Sequence, residues 1–203
     1  MRPILLTSGE PAGVAPEITL MAWTALRHEP QQTFALIGDA AYWRQRNPGA
    51  PIHEITALDQ AASCFAEALP VLHRPLAASP LPGTIHAATA PQVIAAIDEA
   101  VALAFAGDIS AMVTNPIHKD ALYAAGFRHQ GHTDYLAHLA AGYGRSVQEV
   151  MMLVADDLRT IPVTVHIPLK DVPVQLTAAS IIAQARVTAA DLQRYFGIAT
   201  PRL

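Results

Sequence analysis

Short apolar runs alternate with segments of helical period along this 203-residue chain. Ile4-Leu5-Leu6-Thr7 ends at a Gly/Pro cluster and predicts a buried strand running into a loop. Pro16-Glu17 opens a segment in which Ile18, Met21, Ala22 and Leu26 suit a helix with proline in its first turn. Phe34-Ala35-Leu36-Ile37 before Gly38-Asp39 predicts a second strand and turn, and the alternation in Pro51-Ile52-His53-Glu54-Ile55 a weaker third. The proline-rich stretch 70–83 reads as irregular connection with an edge strand at Val71-Leu72. Ile94, Ile97, Val101 and Ala104 recur at helical spacing, with Pro91 near the start and Gly107 to close the end. Ala111-Met112-Val113-Thr114 predicts a strand that Asn115-Pro116 turns. Two more strands are expected at Val150–Val154 and Ile161–Val165, separated by the acidic turn Asp156-Asp157. Thr177 is set to cap a last helix whose Ile181, Ala185, Ala189, Leu192 and Phe196 share a face ending at Gly197.

Strands alternating with helices predict an α/β fold with a largely parallel sheet flanked by helices. Composition narrows the function classes. Hydrophobic residues make up 52% and charged residues 15%, which excludes a disordered chain. With 13 Lys plus Arg against 17 Asp plus Glu the formal charge is −4, so nothing electrostatic points to nucleic acid. The lone Cys64 excludes an internal disulfide and a cysteine-built metal site. No uninterrupted apolar stretch of about eighteen residues predicts a membrane span, and the start turns polar too soon for a signal peptide. These features lead us to expect a soluble, cytoplasmic protein. Pro201-Arg202-Leu203 follows a capped helix, where an α/β chain normally begins its next strand. A chain truncated at its C-terminus is therefore expected, with an uncovered apolar surface that favours association.

Four segments carry candidate chemistry. Ser8–Glu17 is a Gly/Pro loop between strand and helix whose N–H groups are able to face an anion, although it is neither a Walker A loop nor a dinucleotide fingerprint; a tight structural turn is the simpler reading. Thr114-Asn115-Pro116-Ile117-His118-Lys119 lies at a strand end, where open α/β sheets bind ligands, but a plain turn with solvated His118 and Lys119 explains it equally. His129-Gln130-Gly131-His132-Thr133-Asp134 leads into a helical run and suits phosphate at a helix start. An N-cap role for Thr133 and a first-turn role for Asp134 leave His132 without a purpose. His166 follows an apolar run; imidazole ligates zinc and related ions, yet a lone histidine there is more often structural, and no second histidine lies within four residues.

Taken in order, Gly9-Glu10-Pro11-Ala12-Gly13 with Pro16-Glu17, then Thr114–Lys119, Gly131-His132-Thr133-Asp134, Val150-Met151-Met152-Leu153 and Val165-His166-Ile167-Pro168-Leu169 resemble the N-terminal part of the 4-hydroxythreonine-4-phosphate dehydrogenase (PdxA) family. The resemblance implies two α/β domains like those of isopropylmalate dehydrogenase, the first from residues 1–125 and the second beginning at 126–203, with the active site in the cleft of a homodimer. It implies that His132 and Thr133 bind substrate through its phosphate and that His166 is one ligand of a divalent metal (zinc, cobalt or magnesium), the other metal histidines lying beyond Leu203. It further implies oxidation and decarboxylation of 4-phosphooxy-L-threonine by NAD or NADP, in pyridoxal phosphate (vitamin B6) biosynthesis. In that chemistry the metal lowers the pKa of the substrate hydroxyl and nicotinamide takes the hydride. Ala15 stands where the family usually has glycine, Val165 where it often has threonine, and Gly142-Tyr143-Gly144 includes a short insertion. No catalytic residue is assigned; Lys119 suggests itself as base by placement alone. The alternatives are a dehydrogenase of another phosphorylated hydroxy acid, such as phosphoerythronate or threonate phosphate, and a non-catalytic phosphate-binding fragment.

Overall fold

The computed structural model describes residues 2–144 and 148–203. The chain divides into two compact units, Met1–Leu139 and Ala140–Leu203. The first contains β1 (Ile4–Thr7), α1 (Ala15–Leu26), β2 (Phe34–Gly38), α2 (Ala40–Arg46), β3 (Ile52–Ile55), α3 (Ala61–Cys64), β4 (Leu69–His73), α4 (Ala90–Ala106), β5 (Ala111–Val113), α5 (Lys119–Ala124) and most of α6 (His132–Gly142). Its strands form one sheet in the order β3-β4-β2-β1-β5, every neighbouring pair parallel.

A parallel sheet covered on both sides needs apolar residues at successive positions, because successive side chains point to opposite faces. Leu5, Ala35, Ile37, Ile55 and Leu72 accordingly pack with Ala96 and Ala100 of α4. The intervening strand residues Leu6, Phe34, Leu36, Leu69 and Val71 pack with Trp23 of α1 and with Tyr42 and Trp43 of α2. Each large side chain so buried contributes roughly 1.5–3 kcal/mol. The Trp23 indole is satisfied inside this core by donating to the Phe65 carbonyl at 2.8 Å.

Two expectations change here. Val71-Leu72 is no edge strand: β4 lies between β3 and β2. Pro70 is tolerated there because the ladder to β2 begins only at Val71, opposite Leu36, so the missing N–H falls before that pairing. On α1 the buried positions are Ala15, Pro16, Thr19 and Trp23, whereas Ile18 and Met21 face outward. Helix α4 buries Ile97 and Val101 of its expected face together with Val93, Ala96 and Ala100, while Ile94 is half-buried and Ala104 exposed, and it ends at Gly107, which adopts φ +80°. The stretch Ala87–Ala106 is long and apolar enough to cross a membrane by length and composition, but it carries Asp98 and Glu99 and covers the sheet as a core helix.

The second unit holds β6 (Leu153–Ala155), β7 (Leu158–Thr160), α7 (Val172–Gln175) and α8 (Ala178–Phe196). β6 and β7 form an antiparallel hairpin, Leu153 opposite Thr160, around Asp156-Asp157 with Asp156 at φ +48°. The expected strand at Ile161–Val165 is absent. Pairing is complete at Thr160, and Pro162 has no N–H with which to extend a ladder. Helix α8 matches its signals: Thr177 Oγ1 accepts from Ser180 N at 3.1 Å, Ser180 Oγ accepts from Thr177 N at 3.0 Å, and Gly197 closes the helix at φ +68°. Only Thr188 and Leu192 of its face are buried; Ile181, Ile182, Tyr195 and Phe196 are exposed, as are Leu153, Val154, Leu158, Leu169 and Val174 elsewhere in this unit.

Candidate functional site

In an open parallel sheet the polar loops that meet ligands follow the carboxyl ends of strands. β1 and β5 are neighbours, so the loop after β1 meets the loop after β5. The meeting is close. Gly9 adopts φ +64°, and a Cβ there would lie 2.6 Å from Asn115 Cβ and 2.7 Å from the Pro116 carbonyl oxygen. The next amide, Glu10 N, donates to that carbonyl at 2.8 Å. The buried Asn115 amide nitrogen donates to the Thr7 carbonyl and to Thr19 Oγ1, both at 2.9 Å. Asn115 is thus a structural bolt between β1, β5 and α1 as well as a turn residue.

The Gly/Pro loop is likewise committed to its own chain. The buried Glu10 carboxylate accepts from Ala12 N at 3.0 Å, and the Glu10 carbonyl accepts from Gly13 N at 3.0 Å. On the outer side Arg46 donates to the carbonyls of Pro11 and Gly13 and to Glu17, while Tyr42 Oη donates to the Pro11 carbonyl at 2.8 Å. With the N–H groups of Glu10, Ala12 and Gly13 already engaged, this loop does not offer the nest of free donors that a pyrophosphate requires. Arg46 and Tyr42 carry no motif, so only the folded arrangement reveals their part.

The third segment behaves differently. α6 begins at His132, and the Gly131 carbonyl accepts the first helical bond from Tyr135 N at 3.1 Å. Thr133 therefore lies inside the first turn with its side chain exposed and is not the N-cap. Asp134 is the first-turn acid: its carboxylate accepts from Gln130 N at 3.1 Å and sits 3.2 Å from His129 Nδ1. Lys119, first residue of α5, lies against this turn, since a Cβ on Gly131 would be 3.9 Å from its Cε and 4.0 Å from its Nζ. His118 caps α5, its Nδ1 accepting from Ala121 N at 3.3 Å. His132 Nε2 is buried and makes no hydrogen bond among the described residues. Burial first, and the Lys119 ammonium second, push the His132 imidazole below its ordinary value, so the ring is neutral near pH 7. His132, Thr133 and Lys119 thus gather at one helix start.

His166 belongs to the second unit. It is not at a strand end, as expected, but in an exposed bend at φ +55° between Val165 and Ile167. Among the described residues no group of three His, Cys, Asp or Glu side chains is placed to hold a metal ion. One exposed imidazole fits a single donor position and does not make a metal centre by itself.

A five-stranded parallel sheet with helices on both faces and polar loops at its carboxyl edge defines an α/β domain of the isopropylmalate dehydrogenase-like class. A family profile described as pyridoxal phosphate biosynthetic protein PdxA matches residues 30–203, and the chain belongs to that family. The 4-hydroxythreonine-4-phosphate dehydrogenase of Bradyrhizobium diazoefficiens is 43% identical over 213 residues, covering 100% of this chain and 62% of that protein. The crystal structure of a 4-hydroxythreonine-4-phosphate dehydrogenase from Burkholderia phymatum is similar with a TM-score of 0.80 and 31% identity, covering 100% of this chain and 61% of that one. The corresponding protein from Klebsiella pneumoniae gives a TM-score of 0.77 at 28% identity, over 96% of this chain and 60% of that one. The chain spans 59% to 62% of the length of the first curated relatives it matches.

Gly9→Ala should destabilise the fold by at least about 2 kcal/mol in urea unfolding, because the new methyl meets backbone as well as side chain and the φ is unfavourable; an unchanged midpoint would contradict the interlock. His132 gives a pH signature. With its folded pKa below the unfolded 6.5, the unfolded chain binds the proton first as pH falls. The stability that the neutral ring permits is complete above that value and declines as pH drops through it toward the folded pKa. Melting temperatures between about pH 8 and pH 5 should therefore fall less steeply for His132→Gln than for the parent.

Proposed function

We propose that the start of α6 binds the phosphate of 4-phosphooxy-L-threonine through His132 and Thr133. We further propose that the whole protein oxidises and decarboxylates this substrate with NAD or NADP in pyridoxal phosphate (vitamin B6) biosynthesis. The observation that carries the reading is His132 Nε2, buried beside Lys119 without a partner among the described residues. A buried polar atom lacking a partner is rare in folded chains and is satisfied here by a ligand oxygen. The neutral ring donates through Nε2, the exposed Thr133 hydroxyl adds a second donor, and the helix start adds its dipole. Lys119 supplies the positive charge, so we read it as an anion-binding group and not as the base. Family membership and the names of the relatives support the substrate class.

Held by its phosphate, the substrate would present its hydroxyl away from this anchor in a fixed orientation. When bound, the nicotinamide supplies a hydride acceptor and a divalent ion (zinc, cobalt or magnesium) a Lewis acid. For the ion, His166 fits as one ligand whose companions are residues other than those described. For the dinucleotide, the Gly/Pro loop does not fit, its N–H groups being engaged within the loop. A cytoplasmic homodimer is part of the proposal, supported by the exposed apolar side chains of the second unit.

In a version extended to the length of its relatives, 4-phosphooxy-threonine with NAD or NADP and one of these ions should yield reduced nicotinamide. His132→Ala should raise KM at least about tenfold there. Turnover confined to phosphoerythronate or threonate phosphate would reassign the substrate, and phosphate-ester binding without turnover would favour a binding fragment. In the same version His166→Ala should weaken zinc affinity about 100-fold. By calorimetry the 203-residue chain alone should bind zinc weakly or not at all.

A further inference from the structure

The proposed phosphate site sits on a helix start, and its precision depends on what holds that helix. Tyr135, one residue after the first-turn Asp134, is buried and packs with Ala90, Val93 and Ile97 of α4 and with Leu122 and Phe127. Its ring lies edge-on to Phe127 at 4.9 Å between centroids and tilted against His129 at 4.8 Å. At the far end of that ring the hydroxyl donates a hydrogen bond to the carboxylate of Asp98 in the middle of α4. At the near end, Tyr135 N donates to the Gly131 carbonyl, the residue immediately before His132. One side chain therefore links α4, which is packed on the sheet, to the turn that carries the imidazole. Burial, and then the Asp98 partner, push the phenol pKa upward, so the proton stays on the hydroxyl at working pH.

We propose that Tyr135 and Asp98 are a pair of positioning residues whose hydrogen bond pins the first turn of α6 to α4 and thereby fixes His132 and Thr133 for the phosphate. Neither residue touches the anion in this arrangement. The inference rests on the phosphate reading for its consequence, but the tether itself stands on α4 and α6 alone. A purely electrostatic role for Asp98 has the opposite sign: removing a carboxylate near an anion site would strengthen anion binding. A positioning role requires the loss of the acceptor to weaken it.

The test uses inorganic phosphate as probe and the variants Tyr135→Phe, Asp98→Ala, Asp98→Asn and the Tyr135→Phe/Asp98→Ala double variant. Tyr135→Phe keeps the ring in its cluster, and Asp98 is exposed on its helix, so all four should fold. Amide exchange at residues 135–138, the first amides bonded within α6, should speed up about tenfold in both single loss variants and remain near the parent rate in Asp98→Asn, which retains an acceptor oxygen. Phosphate affinity, measured by calorimetry, should drop about tenfold in the same two variants and recover within about twofold in Asp98→Asn. The double variant should be no worse than either single one, the mark of a shared interaction. Unchanged exchange at 135–138, additive losses, or tighter phosphate binding by Asp98→Ala would overturn the proposal. His132→Ala separates the two ideas: if it leaves phosphate affinity unchanged, the phosphate site is wrong, while the exchange rates still decide the tether.

Discussion

Asn115 ties together three pieces of chain that meet only after folding. Its amide nitrogen reaches the Thr7 carbonyl at the end of β1 and the Thr19 hydroxyl in α1, all three groups buried. A buried amide deprived of such partners costs roughly 1–3 kcal/mol, so the side chain enforces the approach of the two loops instead of merely accompanying it. That approach also demands glycine at position 9, where any Cβ would collide with Asn115 and Pro116. From this junction α5 departs with His118 and Lys119 at its start, and Lys119 is thereby delivered to Gly131. The bolt and the approach of Lys119 to the turn at Gly131 are consecutive consequences of one packing event.

The two loops divide the electrostatic labour. The Gly9–Gly13 loop meets its charge requirements internally, with Glu10 occupying its own amides and Arg46 its carbonyls. A loop satisfied in this way is rigid and presents little unmet hydrogen-bonding capacity to a ligand. The turn at Gly131 has the reverse character. It combines an ammonium, a helix start and a ring nitrogen with no partner among the described residues, and burial keeps the ring neutral. Preorganised donors of that kind gain from being held still, which is what the contacts of Tyr135 with α4 provide.

Several elements were legible from local pattern. β2 is apolar at Phe34, Ala35, Leu36 and Ile37 because both its faces are covered, and Gly107 and Gly197 end α4 and α8 because each adopts a left-handed conformation. Legibility failed where a neighbour made the decision. Nothing local announces that Val71-Leu72 receives a strand on each side, and the apolar run after Thr160 reads as a strand although the hairpin is complete before it. Ile18 and Met21 look like core positions of α1, yet Thr19 and Trp23 are turned inward because Thr19 serves Asn115 and Trp23 serves Phe65.

For the candidate site the division is similar. The residue order Gly131-His132-Thr133-Asp134 is sufficient to mark a helix start bearing phosphate-suited side chains, and the ordered motifs are sufficient to indicate the family, since both are encoded in short stretches whose chemistry is local. The sequence by itself therefore determined the α/β class, most of the helix ends and the identity of the residues on which function is proposed to rest. Only the tertiary structure decided that the Gly/Pro loop is filled by its own side chains, that Lys119 flanks Gly131, and that Tyr135 meets Asp98 across 37 residues. Those facts depend on which partners arrive from distant parts of the chain, and a hydrogen bond or a burial penalty has no value until its partner is in place.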